Sequence, residues 1–293
     1  MAGHSTPAED KAPAPILVAY KGDAGPDVLA FASAWGKASG RPLVIVTVYP
    51  GAAPIGMGRV DSEWVAYNRE QAQLILDEAR KTLGGTDASY RAIPADSASH
   101  GLNDALESAG DGALIVLGSR KTRGTRRTAP GSTADRLLQG APGPVVLVPW
   151  AYEEYAATAI HRVAVAFIDT PDGAAALSTG SELAAEVGAE LQLISVLPDT
   201  LVRPSLGEPT TFATEQRRQF QGAVEGAANE LGATAKLLDG PVVDTLADLL
   251  PEDVDLLVCG SRGYGPARRV LLGGVSSRLL KHARIPVVIV PRE

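Results

Sequence analysis

Residues 118–133 read GSRKTRGTRRTAPGST, and residues 260–275 read GSRGYGPARRVLLGGV. Each follows an apolar run, ALIVL at 113–117 and DLLVC at 255–259, and each precedes another, PVVLVP at 144–149 and PVVIVP at 286–291. The loop and the closing run both recur 142 residues later. A repeat of that length is far longer than a solenoid unit, so it marks two similar domains in one chain.

Outward from these loops the rest of each copy falls into place. Copy one opens on ILVAY at 16–20, a short apolar run of the kind buried on both faces of a parallel sheet. A helix at about 26–39, a strand at 42–49, a helix at 61–83, a strand near 88–93 and a helix near 99–109 lead to the strand 113–117. The glycine loop, a fourth helix from about 132 and a strand at 144–148 complete the unit. Copy two repeats the order: strand 162–168, helix 172–187, strand 190–197, helix 209–231, strand 233–238, helix 242–250, strand 255–259, loop, helix from about 275 and strand 285–290. Alternating strands and helices predict two α/β domains, each with a five-stranded parallel sheet and right-handed crossovers. The expected boundaries are a disordered tail over 1–15, domain 1 over 16–149, a linker over 150–161 and domain 2 over 162–293. The flat, apolar closing strands would be exposed edges, and pairing them with each other makes an internal pseudo-dimer. Loops covering both edges are the alternative.

Bulk numbers set limits. With 293 residues the chain can bury two cores, and 45% hydrophobic with 21% charged residues is the make-up of an ordinary globular protein. A net charge of −7 argues against a general nucleic-acid binder. The single cysteine, Cys259, excludes an intramolecular disulfide and any multi-cysteine metal site, which fits a reducing cytoplasm. The opening MAGHSTPAEDKAPAP has no apolar core of signal-peptide length, and no run approaches the ~20 apolar residues of a membrane helix. His4, His100, His161 and His282 show no metal-ligand spacing. Neither a dinucleotide G-x-G-x-x-G after a first strand, nor a P-loop, nor a G-x-S-x-G elbow occurs, and no nucleophile stands with a base. The expectation from these absences is no efficient enzyme.

In an open parallel sheet, ligands bind beyond the carboxyl ends of the strands, where loops meet helix N-termini. Unpaired backbone N–H groups there suit phosphate, and glycines let the backbone approach it. In copy two the glycines are Gly260, Gly263, Gly273 and Gly274. Any strand-to-helix turn also favours glycine, so this pattern alone leaves a purely structural loop equally open.

The spacing G-x2-G-x9-G-[S/T] after the fourth strand resembles the nucleotide loop of the universal stress protein family, over about 15–149 and 161–291. The resemblance implies an adenine nucleotide alpha hydrolase-like sheet, pairing through the last strand, and either an ATP-binding or a non-binding member. It also implies a carboxylate at the end of the first strand to accept hydrogen bonds from ribose. A gap-free match of the copies puts Asp169 there in copy two and Lys21 in copy one; counting from the helix start puts Ile168 there instead. Copy two keeps Gly263 where copy one has Lys121, whereas copy one keeps Gly131-Ser132 and copy two has Gly274 in place of the hydroxyl residue. Losing a carboxylate–hydroxyl bond costs about 1.5–3 kcal/mol and losing a serine hydroxyl contact about 1 kcal/mol, so copy two is the better site.

The resemblance assigns Asp169 to ribose, Val196 (counterpart Val48) to adenine, and Gly260, Arg262, Gly263, Gly273, Gly274, Val275 and Ser276 to the phosphates of ATP or ADP, with magnesium accompanying the triphosphate. Val196 reads equally as core. Arg268 and Arg269, and in copy one Arg120, Lys121, Arg123, Arg126 and Arg127, read as solvated loop residues or as an anion site. The function implied is a nucleotide-binding stress-response regulator with an impaired site in copy one. The alternative is a non-binding scaffold that works through an unknown protein partner. A homodimer of tandem chains is a further expectation.

Overall fold

The computed structural model describes residues 13–21, 25–52, 61–121, 127–156, 159–199, 210–261 and 273–291. The expected tail 1–15 is described only at 13–15. In copy one, strands β1 (Ile16–Ala19), β2 (Leu43–Pro50), β3 (Ala88–Ala95), β4 (Leu114–Gly118) and β5 (Val145–Val148) alternate with helices α1 (Gly25–Ser39), α2 (Asp61–Leu83), α3 (Ala98–Ala109) and α4 (Ser132–Leu137). Copy two follows with β6 (Arg162–Ala166), α5 (Pro171–Val187), β7 (Glu190–Leu197), α6 (Thr210–Leu231), β8 (Thr234–Asp239), α7 (Val242–Ala247), β9 (Leu256–Gly260), α8 (Gly274–Leu279) and β10 (Val287–Val290).

All ten strands form one sheet in the order β3-β2-β1-β4-β5-β10-β9-β6-β7-β8. Within each copy every pairing is parallel, while β5 and β10 pair antiparallel through Val146 opposite Val288. The closing strands are thus each other's partners, and the two apolar edges vanish into the middle of the sheet. Val145–Val148 and Val287–Val290 are buried along their whole length, which is why both read as continuous apolar runs rather than alternating ones.

Alternate residues of each strand face opposite sides, and both faces are covered. On one face Leu17, Ile115 and Leu147 pack with Ala164, Leu257 and Ile289 beneath α3, α4, α7 and α8. On the other, Val18, Val116 and Val148 join Val165, Val258 and Val290 beneath α1, α2 and α5. Both cores run unbroken from one copy into the other.

The segment between the copies is built rather than loose. Ala151 adopts a left-handed conformation (φ 60°) and opens a short 3-10 turn, Tyr152–Glu154. The carboxylate of Asp27 on α1 accepts the Ala151 and Glu153 backbone N–H groups, both at 3.0 Å. Tyr152 is buried edge-on against Phe31, and the Tyr155 hydroxyl donates to the Arg284 carbonyl. Arg41, buried behind β2, donates to the Ala14, Pro15 and Gly112 carbonyls and pairs at 3.4 Å with Glu186 of copy two, which also accepts from Trp35 Nε1. Burial lowers the Arg41 pKa, and Glu186 offsets that only in part.

Candidate functional site

Each copy holds a cleft at the carboxyl ends of its central strands, and the same local device opens both. In copy one the Tyr20 N–H still reaches Val46 O, but the Tyr20 carbonyl takes the Thr47 hydroxyl proton (2.9 Å). In copy two Phe167 bonds to Ile194 O, and the Ser195 hydroxyl donates to Phe167 O (2.9 Å). A side-chain hydroxyl on the second strand therefore satisfies the first strand's last carbonyl as the chain leaves the sheet.

This repeated bond fixes the true correspondence of the copies. Tyr20 matches Phe167, so Lys21 matches Ile168, and the pairing of Lys21 with Asp169 is corrected by one residue. The extra residue of copy two lies between Phe167 and the helix that follows: α1 ends at Ser39 and α5 at Val187, an offset one larger than that of the strand ends. Asp169 is exposed and lies outside the cleft lining; its neighbours Ile168 and Thr170 line the cleft.

The copy-two cleft has a volume of about 630 Å³, within the usual span for small-molecule sites. Val196, Ile194 and Leu246 give it an apolar floor, and Gly260, Val275 and Ser276 close one side. Asp172, in the first turn of α5, is the charged residue lining it among the described residues. Thr170 caps α5 by accepting the Gly173 N–H, and Pro171 sits in the first turn, which fixes where Asp172 stands. Sequence reasoning missed Asp172 because it counted along a turn that carries an insertion. The signal for it was the T-P-D helix start itself.

The sequence-predicted residues separate into three sets. Val196, Gly260, Val275 and Ser276 come together around the cleft. Gly273 and Gly274 form the entry to α8 without lining it. Arg262 and Gly263, with Arg268 and Arg269, lie outside the described residues. Gly273 has φ −72° and Gly131 φ −85°, ordinary values open to any residue, so no left-handed bend is used there. Gly260 is needed for space: a Cβ on it would run into the Asp172 carbonyl oxygen. Gly274 has open space around it. Ser276 is buried and donates its hydroxyl to Gly260 O at 3.0 Å, tying α8 to the end of β9. Because α4 and α8 are six residues long, their dipoles add little, and individual N–H groups matter more.

Cys259 also lines this cleft, and burial pushes its thiol up to about 12, so it is no nucleophile at neutral pH. Among the described residues, no group of three or more His, Cys, Asp or Glu is placed to hold a metal, and no helix is long and apolar enough to cross a membrane.

The copy-one cleft is of similar size, about 730 Å³. Lys21, Arg120 and Lys121 line it, with Trp150 at the rim and Val46, Val48 and Leu117 beneath. Its loop is closed at the base: Arg120 N donates to Ala129 O, Arg120 Nε to Pro130 O, and Ala129 N to Ser119 Oγ. Beyond the base it crosses to copy two. Thr128 N donates to Ala283 O at 2.6 Å, and Arg127 bonds His282 O and the Asp248 carboxylate. Arg127 is therefore spent on joining the copies; Arg123 and Arg126 lie outside the described residues.

The family model of the universal stress protein family matches the chain twice, over residues 14–149 and 159–291. A universal stress protein of Mycobacterium tuberculosis is 25% identical over 291 residues, covering 94% of this chain and 99% of that protein. One of Mycolicibacterium smegmatis is 28% identical over 230 residues, covering 75% of this chain and 74% of its own length. The crystal structure of a universal stress protein from Archaeoglobus fulgidus superposes with a TM-score of 0.68 at 18% identity, covering 95% of this chain and 98% of that one, a likeness of fold. Two family matches that together span nearly all of the sequence, over a fold built twice in one sheet, make this chain a member of the universal stress protein family.

Proposed function

We propose that the chain binds an adenine nucleotide, ATP or ADP, chiefly in the copy-two cleft, and uses occupancy as a regulatory signal rather than for turnover. The observation that carries this reading is the cleft of about 630 Å³ at the carboxyl ends of β6, β7 and β9, where Val196 offers an apolar seat and Gly260 lets the backbone approach closely. Ligands of open parallel sheets sit in that place. Asp172 takes the polar role first assigned to Asp169, because it lines the cleft while Asp169 is exposed outside it. Its counterpart in copy one lies past the turn insertion, at Ala24, outside the described residues. Magnesium, where present, enters with the triphosphate. The protonated thiol of Cys259 supports a binding role over a nucleophilic one.

Calorimetry of nucleotide-stripped, full-length protein tests the proposal. ATP binds saturably, Asp172→Ala weakens binding by about ten- to a hundredfold, the worth of a hydrogen bond to a charged group, and Asp169→Ala leaves it within about threefold. Absence of binding up to millimolar ATP rejects the reading. Equal losses from the two substitutions would return the role to Asp169.

A further inference from the structure

The duplicated plan supplies its own control for surface residues. Helix α2 of copy one and helix α6 of copy two occupy equivalent places, each packed on the two outermost strands of its half of the sheet. Leu76 and Val224, both fully buried, mark their common phase, and the helices end at the matching residues Leu83 and Leu231. Opposite its buried face α2 carries Tyr67 and Leu74, one heptad apart and 59% and 58% exposed. At the matching places α6 has Glu215 and Gly222. The fold therefore does not require apolar residues there, and copy one alone displays them. Glu63, Glu70 and Lys81 stand on the same outward stripe, all exposed. Beside the stripe, Tyr49, Gly51 and Ala52 at the end of β2 and Ala66, Glu70 and Gln73 of α2 line an open groove of about 780 Å³. This groove shares no lining residue with either cleft. One face thus holds projecting apolar side chains with a hollow next to them.

We propose that this face of α2 is an interface with a second copy of the chain, two α2 helices packing antiparallel about a two-fold axis level with Ala72. The closing strands β5 and β10 are not free for such a contact, because they pair with each other within the chain. An isologous contact needs one surface complementary to itself, with knob and hollow on the same patch. With the axis at this level, Tyr67 of each chain packs against the Leu74–Asp77 turn of the other, and Glu63 stands opposite Lys81, twice by symmetry. Antiparallel helices also set opposite dipole ends side by side, so Arg80 and Lys81 in the last turn lie beside the other helix's first turn. The contact runs about 35 Å, the length of 23 helical residues. One helix pair of that length stands toward the low end of the area that stable dimers bury, so the dimer forms at micromolar concentration. Helix α6 cannot serve in the same way: Glu215 is paired along the helix with Arg218, and Gly222 offers no side chain.

Sedimentation velocity of the full-length protein, from low to high micromolar concentration, tests this. Wild type should pass from monomer to a closed dimer and no further. Tyr67→Lys and Leu74→Glu should each weaken the dimer by about tenfold or more, while Glu215→Lys, at the matching place of copy two, leaves it unchanged. Glu63→Lys sets like charges opposite each other twice and should weaken it by up to about tenfold; the double exchange Glu63→Lys with Lys81→Glu should restore it. That rescue separates a broken contact from a damaged fold. A chain that stays monomeric throughout overturns the proposal. So does a dimer that Tyr67→Lys and Leu74→Glu leave intact, one that Glu215→Lys weakens equally, or one that the double exchange fails to restore. Association that continues past the dimer overturns it too, because a two-fold contact closes.

Discussion

Asp27 is a carboxylate only 5% exposed, and it owes its place to the turn that joins the copies. Burial raises its pKa, and the backbone N–H groups of Glu153 and Ala151 pull it back only in part. Those bonds organise a turn whose first residue, Ala151, holds a left-handed backbone costing about 1–2 kcal/mol. The sign of the pH effect follows. With the folded-state value above the ordinary 3.8, the folded protein holds this proton more tightly than the unfolded chain does, so its contribution to stability is lost as pH rises through that interval. Asp27→Asn removes the titration. Urea unfolding from about pH 3.5 upward should show wild type losing ground against Asp27→Asn as pH rises; a constant gap between the two would contradict the assignment.

Among the elements, α5 shows how close packing overrides helix propensity. Gly180 faces β6, and a Cβ there would run into Cγ2 of Val165, a fully buried β-branched residue with little freedom to turn away. Alanine gains about 1 kcal/mol in helix propensity over glycine, while overpacking costs about 1–3 kcal/mol. Gly180→Ala should therefore lower stability by up to about 2 kcal/mol in urea unfolding, and a stabilised variant would show that α5 can move off the sheet. At this scale the sequence was legible where burial on both faces makes a strand a plain apolar run, as in ILVAY and the two closing runs. It was legible again in the 23-residue span of α2. What it hid was register. One inserted residue in a turn moves the match of Lys21 from Asp169 to Ile168, and no propensity marks such an insertion. The glycine pattern shows where side chains are absent, and only the coordinates show that Gly260 is small because the Asp172 carbonyl oxygen lies against it.

For the whole molecule, the antiparallel bond between β5 and β10 turns two modest sheets into one. Duplication of the apolar closing strand made that pairing readable in advance. The ties that cross from the copy-one loop to Ala283, His282 and Asp248 were not readable, since they join residues with no pattern in common. They matter for function because the loop beside one cleft is bonded to the other copy, close to the helix that closes the second cleft. Two clefts of similar size stand in one sheet built from one duplicated plan. The most direct test of the nucleotide reading is to label the protein with an azido-adenine analogue of ATP and sequence the modified peptides. The label should fall, and be lost under excess ATP, on peptides carrying Val196 or Phe220 around the copy-two cleft. ATP-protected label confined to peptides remote from both clefts, or no protected label at all, would contradict it.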